Sequence, residues 1–551
     1  MNNTKDSLVQ IFAKINGIKC LIFDDETINF ISSILTNVEL SNNEIFLYEK
    51  ISDKNVNKYT YMNVIYFVRP TLENINMLIS ELCQPRFKEY YIYFSNGVSD
   101  NLLKDLSKAD KYNVVCTVEE LYLDYVVDNV NNNGNSGNLG NLDSWHLNLR
   151  KCTSEFDLKN NNKINRIVEG INAYLISNNI TPLIRYQKSS LTVKDICSKL
   201  NKSKSHDLKT LLLVIDRNED YLSPLLTSWT YKAMIHQYFT LKNKTIDLTL
   251  INNESVNKLP SKILSFVSDD FYSTNIFTGY GEICTEVEKL VKQHKIYIDK
   301  SKNMTTTNDL KSIIYDIPKA KKEYNILVQH LTVLQEIQGK VKQRNMIDLS
   351  ALEQNIICSN NKKEMYDKIV EYSKKGEMDD LVRIIILFAL KYESDVPMIN
   401  SLKELLGKLH GKEKGDVNSK IIDFMLLYGG AVARSKSNDI FNNKKYITNI
   451  THTIKREITG VGNVFQQYEP YIVKLVNDAL NNILSVNDYP YINNDNMVGA
   501  QINKIIIFVV GGTTYYEEYS IYNTYKKNNN LNISLGGTFI HNPVTFLEDI
   551  N

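Results

Sequence analysis

Residues 211–239 read LLLVIDRNEDYLSPLLTSWTYKAMIHQYF. The run Leu211, Leu212, Leu213, Val214, Ile215 is apolar at every position, so it has no solvent side and reads as a strand buried on both faces. Asp216 and Arg217 end it. Adjacent strand residues point to opposite faces, so these two cannot form one catalytic pair, and each calls for a structural partner elsewhere. Taken alone, a strand, a carboxylate and a proline suit many α/β enzymes.

On the N-terminal side, β-rich runs at 19–23, 44–49, 63–68, 90–94 and 114–118 alternate with helical ones. Between the third and fourth, Leu72, Ile75, Leu78, Ile79 and Leu82 recur at helical spacing. Such alternation predicts a parallel, doubly wound sheet that ends near Asn129. Residues 130–142, VNNNGNSGNLGNL, have too little apolar surface to offset chain entropy and read as an insert at a junction, with a second polar patch at 159–163. A helix follows at 164–175. Signals like that of 211–215 return only at 504–510 and 532–535, each followed by a glycine pair, Gly511-Gly512 and Gly536-Gly537. Glycine permits positive φ and close backbone approach, so both pairs suit tight strand–helix turns in one sheet. The second α/β unit is therefore expected to use two separated chain pieces. The intervening 259–484 is mainly helical. It carries a stripe of Tyr324, Leu327, Leu331, Leu334 and Val341, and further helices at 381–392 and 421–427.

A length of 551 residues allows three or four domains at ~150 residues each. The 64 basic and 63 acidic residues leave a net charge of +1, which argues against a nucleic-acid footprint and against a polybasic anchor, local patches aside. Seven scattered cysteines with no C-x-x-C pair read as reduced thiols. The first 20 residues lack an apolar signal region, and the longest apolar runs fall far short of the ~20 residues of a membrane helix. Work at a membrane would then go through a partner.

Motifs for chemistry are sparse. The segment Gly407–Lys412 is one residue short of a phosphate loop and follows a helix, so Gly411 reads as a helix cap. Gly279-Tyr280-Gly281 lacks the third glycine of a dinucleotide site. Gly511-Gly512-Thr513-Thr514 follows a strand and could receive an anion on free amides, which keeps a nucleotide-binding α/β enzyme as the rival reading. No histidine pair has metal-site spacing. Asp24, Asp25 and Glu26 at the end of the first strand read as caps of the next helix.

Several segments carry a likeness. They are 211–239 itself, Phe67-Val68-Arg69-Pro70-Thr71 with Asn74, and Tyr91-Ile92-Tyr93-Phe94-Ser95-Asn96. Ile184-Arg185-Tyr186-Gln187, Tyr428-Gly429-Gly430, the two glycine-pair turns and His541-Asn542 continue it. In this order they resemble the Sec-one/Munc-eighteen (SM) family over nearly the whole chain. Within it the details are most similar to a branch that acts in trans-Golgi and endosomal traffic.

The resemblance implies α/β plus α architecture. It would be a three-domain arch of two parallel-sheet α/β domains, with a large helical insertion in the second. The expected domains are 1–142, then 143–255 with 485–551, and 256–484. It implies no catalysis and no cofactor. The expected partners are a syntaxin-type (Qa) SNARE and the assembled SNARE complex, met by a cytoplasmic monomer that reaches Golgi, endosomal or vesicle membranes through them.

Two sites carry over. A pocket for a syntaxin N-terminal peptide matches Val118, Glu120, Leu121 and Tyr122. It would need an apolar hole, supplied by Leu121, and an acidic rim, supplied by Glu120. The second site is a SNARE cleft and helical hairpin. It takes Asp24 and Arg69 on the inner face of the first domain, the hinge Pro318, and Leu327, Leu331 and Leu334 of the stripe.

Overall fold

The structure is a computed structural model. It describes residues 2–53, 57–129, 142–153, 161–201, 207–241, 244–251, 256–257, 259, 261–267, 269–301, 307–435, 440–441, 468–492, 502–526, 528 and 531–550. Most of the Asn-rich stretch 130–142 lies outside these residues.

The first sheet holds β1 (Lys19–Phe23), β2 (Ile45–Lys50), β3 (Asn63–Val68), β4 (Tyr90–Phe94) and β5 (Val115–Glu120), in the order β2-β1-β3-β4-β5. Every pairing is parallel. The two faces of β1 show why an unbroken apolar run is needed. Cys20 and Ile22 join the core under helices Leu72–Cys83 and Asp100–Ala109, whereas Leu21 and Phe23 join the core on the opposite face, with Phe12 and Phe30. Thr71 accepts from the Asn74 amide at the start of the first of those helices.

The second sheet takes β6 (Val126–Asn129), β7 (Leu142–His146), β8 (Pro182–Tyr186), β9 (Asp207–Asp216), β10 (Lys504–Val510) and β11 (Asn532–Gly537). Their order is β6-β7-β11-β10-β9-β8, parallel throughout except for the β6–β7 pair at one edge. The run that opened the reading is β9, with β10 beside it at Leu211↔Ile505. Its Leu211, Leu213 and Ile215 face one core, and its Leu212 and Val214 face the other. Strands about 290 residues apart in sequence thus lie side by side, as two separated pieces require. Val126–Asn129 already belongs to this second sheet, although it directly precedes the Asn-rich insert.

Trp145 of β7 stacks on Tyr174 at 4.2 Å, and its ring N–H donates to Ser534 at 3.0 Å. A Cβ on Gly536 would lie 2.6 Å from the Trp145 ring, so contact rather than turn geometry requires that glycine. Gly511 and Gly512 do need their freedom, with φ of +93° and +90°.

Between the two pieces lies a helical block. Its helices Met346–Cys358, Met378–Lys391, Val396–His410, Lys412–Gly429 and Tyr471–Leu480 share one continuous core with a face of the second sheet. Helices Tyr280–Ser301 and Thr307–Gln343 form its hairpin. Gly411, φ +79°, separates two helices and is the cap it was read to be.

Candidate functional site

The residues proposed for the cleft lie where the first sheet meets the second unit. Asp24 is buried, and its carboxylate is fully used. One oxygen accepts from the amides of Glu26 and Thr27 at the head of helix Thr27–Ile34, at 2.9 and 2.7 Å. The other accepts from the Arg69 amide and the Asn74 side chain, both at 2.7 Å. It is a cap and a brace between β1 and β3, so it cannot face a partner.

Arg69 is committed as well. Its guanidinium pairs with Glu26 at 3.0 Å, Asp124 at 3.2 Å and Glu169 at 2.6 Å. Arg166 completes the ring, with Glu26 at 3.0 Å and Asp124 at 3.1 Å. Burial lowers the Arg69 pKa, but the Asp124, Glu26 and Glu169 carboxylates more than offset it and hold it above its ordinary value. Burial pushes Glu169 up. Glu169 and Arg166 sit on helix Asn161–Ser177, so this cluster clasps the first sheet to the second unit. Sequence reading missed the partners, because contacts across 43 to 100 positions leave no local trace.

The proposed peptide pocket falls on the edge strand β5 and the turn after it. Val118 is 40 % exposed and Glu120 is exposed on the same face. Tyr122 holds a left-handed φ of 53°, and its hydroxyl donates to Glu120 at 2.7 Å, which pushes the phenol pKa up. The other Glu120 oxygen accepts from the Val98 amide at 2.8 Å. Leu121, just after β5, is half-buried against the first unit's core. The structure therefore brings Val118, Glu120 and Tyr122 together on one open rim, with Leu121 tucked behind.

On the hairpin, helix Thr307–Gln343 runs unbroken through Pro318, whose ring is exposed. Leu327 and Leu334 are 5 % and 2 % exposed. Leu334 joins the core of the helical block, and Leu331 packs half-buried against it. The stripe is therefore spent inward, and Leu327 and Leu334 are corrected from partner contacts to core. A period of 3.6 marks an apolar face without saying what covers it.

The anion turn is closed. Gly511, Gly512, Thr513 and Thr514 donate their amides to Thr538, Val509, Phe539 and Glu517. A Cβ on Gly512 would meet the His541 ring at 2.5 Å. No amide is left for a phosphate. Arg217, 1 % exposed, makes a two-pronged pair with Glu517 at 2.7 and 3.0 Å, the structural partner that β9 called for. Asp216 accepts from Ser190 at 2.8 Å.

A cavity of about 520 Å³ lies where helix Thr27–Ile34, β6 and the chain around His236 meet. Its Asp128 and Lys244 are engaged, with Lys232 just behind the wall. Lys232 pairs with Asp128 and, at 2.8 Å, with Glu518. Lys244 caps the carbonyls of Ser33 and Asp128, and burial pulls it down to about 8. Among the described residues, no group of three His, Cys, Asp or Glu could hold a metal, and no helix is long and apolar enough to cross a membrane.

Two doubly wound sheets with a helical block set into the second define the arch class of α/β fold. Residues 19–549 match the Sec1 family, so the chain belongs to that family. It is 31 % identical to vacuolar protein sorting-associated protein 45 of Rattus norvegicus, over 97 % of this chain and 92 % of that protein. It is 29 % identical to the protein of that name in Dictyostelium discoideum, over 98 % and 94 %. Among solved structures, the SM protein Vps45 in complex with the Qa SNARE Tlg2 matches at a TM-score of 0.83 and 25 % identity, covering 100 % of this chain and 97 % of that one. The Unc18–syntaxin 1 complex of Monosiga brevicollis, at 17 % identity and a TM-score of 0.73, shows the shared fold.

Proposed function

We propose that this chain binds a syntaxin-type Qa SNARE and templates assembly of the SNARE bundle in Golgi and endosomal transport, as a regulator rather than an enzyme. The observation that carries this is the end-to-end likeness, in sequence and in fold, to a Vps45 solved with its Qa SNARE bound. Engaged carboxylates, capped lysines and a closed glycine turn agree with a binding role. Holding two SNARE helices in register offsets association entropy that otherwise slows bundle formation. No helix among the described residues is long and apolar enough to cross a membrane, so partner binding recruits the protein there.

The chain divides into the three domains of the arch near 125, where Val126–Asn129 enters the second sheet, and at about 255 and 484, the middle one discontinuous. The rim of exposed Val118 and Glu120 with half-buried Tyr122 receives the N-terminal peptide. A basic residue of that peptide competes with the Tyr122 hydroxyl for Glu120. On the hairpin, the exposed surface around Pro318 is the part left to a SNARE helix. Pull-down with Qa-SNARE cytosolic domains, intact and lacking the N-terminal peptide, tests the reading. Capture of the intact form is expected, and failure to capture either form defeats it.

A further inference from the structure

All five strands of the first sheet are parallel, so their C-terminal ends share one edge and their N-terminal ends share the other. The C-terminal edge carries the Asp24 brace, the Arg69 clasp and, at the end of β5, the proposed peptide rim. The N-terminal edge lies at the opposite end, and its loops are laced together in strand order. The Lys19 amide donates to Glu44, Asn63 to Ile18, Lys88 to Met62 and Tyr90 to Val114, at 2.9 to 3.1 Å. Five strands at ~4.8 Å spacing make this row about 20 Å long.

Three apolar side chains stand out from the row. Ile18 is 47 % exposed, Tyr61 70 % and Tyr112 61 %. Exposed lysines lie between and around them: Lys14, Lys58, Lys88 and Lys111. The carboxylates at this edge are already held. Glu44 takes the Gly17 amide and Lys19 at 3.1 and 3.2 Å, Asp110 takes the Val114 and Val115 amides at 3.0 and 3.1 Å, and Glu89 takes Lys88 at 3.2 Å. With Lys19 included, five lysines face three carboxylates, a surplus of +2 on a chain whose whole surplus is +1.

We propose that this edge docks on an anionic lipid bilayer, with Tyr61, Tyr112 and Ile18 entering the headgroup layer and the lysines meeting acidic headgroups. The layout favours lipid over protein. Interface cores between proteins are contiguous, apolar and depleted of lysine, whereas tyrosines set singly among lysines match the chemistry of a membrane boundary. A second copy would bring like charges face to face. The surplus is small, so the contact is weak and reversible, with about a five-fold effect per lysine at the surface.

The test is flotation of the full chain with phosphatidylcholine vesicles, with and without phosphatidylserine, at low and high salt. Binding to the anionic vesicles only, weakened by salt, is expected. Lys58→Ala with Lys111→Ala should weaken it by roughly 25-fold, and Tyr61→Ser with Tyr112→Ser should abolish it. Both are surface changes, and an unchanged melting curve shows that each variant folds. Equal binding to both vesicle types, no binding to either, or variants that bind like the parent would overturn the proposal. So would a doubled mass in light scattering that Tyr61→Ser reverses, since a second copy would then cover this edge. No SNARE is present, so the outcome is independent of the SNARE-binding reading.

Discussion

Replacing Arg69 by alanine should loosen the clasp between the first sheet and helix Asn161–Ser177. The pairs with Glu26 and Glu169 are about half exposed, at 51 % and 46 %, and contribute only ~0–1 kcal/mol each. The Asp124 pair differs, because that carboxylate is 3 % exposed and would keep Arg166 on one oxygen and the Asn96 side-chain amide on the other, both at 3.1 Å, with no cation on the second. A lost hydrogen bond to a buried charge costs ~1.5–3 kcal/mol. Together these give a loss of about 2–4 kcal/mol, felt at the junction rather than in either core. Hydrogen exchange reads it locally. Amides of residues 161–177 that exchange by opening of the junction should speed up about 30-fold at the lower figure, since ~1.4 kcal/mol is tenfold. The melting temperature should fall by several degrees. Arg69→Lys, which keeps the charge without the fork, should recover part of both. Unchanged exchange and melting would refute the clasp. Reduced Qa-SNARE capture with unchanged melting would return Arg69 to the binding face.

His541 is 2 % exposed, and burial, with Arg217 and Arg150 adding to it, holds its pKa down at about 3 against an unfolded value of 6.5. Asp549, 3.8 Å from the ring Nε2, does not reverse this, its carboxylate being shared with Arg150 at 2.6 Å and the Lys151 amide at 2.8 Å. The unfolded chain alone takes up the proton below 6.5, so stability is full above that pH and falls as pH drops toward 3, by up to ~1.4 kcal/mol per unit. Urea midpoints at pH 7 and pH 5 should converge in His541→Gln relative to the parent. Pro318→Ala restores an amide donor inside helix Thr307–Gln343 at an exposed site, where an interior proline costs ~3 kcal/mol. Slower hydrogen exchange around 314–322 is expected, and faster exchange would contradict it. Gly536→Ala drives a Cβ to within 2.6 Å of Trp145 and should cost about 1–3 kcal/mol, seen as a changed Trp145 fluorescence and an earlier melt.

How much of this was legible in the sequence varies with the range of the contact. Strands buried on both faces, such as β1, β3, β9 and β10, announce themselves as unbroken apolar runs, and Gly511-Gly512 marks where β10 ends, whereas Gly536-Gly537, read as a turn, lies inside β11. Val126–Asn129 and Leu142–His146 were not read as strands. One is four residues long, the other carries Asp143, Ser144 and His146, and their place is set by pairing and by Trp145 stacking on Tyr174. The same limit explains the site. Asp24 was legible as a cap because its partners follow within three residues. Arg69 was not legible as a clasp, because Asp124 and Glu169 come from other elements. The Leu327 and Leu334 stripe showed its periodicity but not its covering. The half-burial of Leu121 was not legible either, because the left-handed backbone at Tyr122 has no glycine to signal it.

The central claim is tested most directly by the rate at which a complete set of cytosolic SNARE helices, with the Qa member fluorescently labelled, assembles with and without the chain. The account predicts faster assembly that saturates at one chain per Qa SNARE and that Glu120→Lys weakens through the peptide rim. An assembly rate that the chain leaves unchanged at concentrations that saturate Qa-SNARE binding would contradict it.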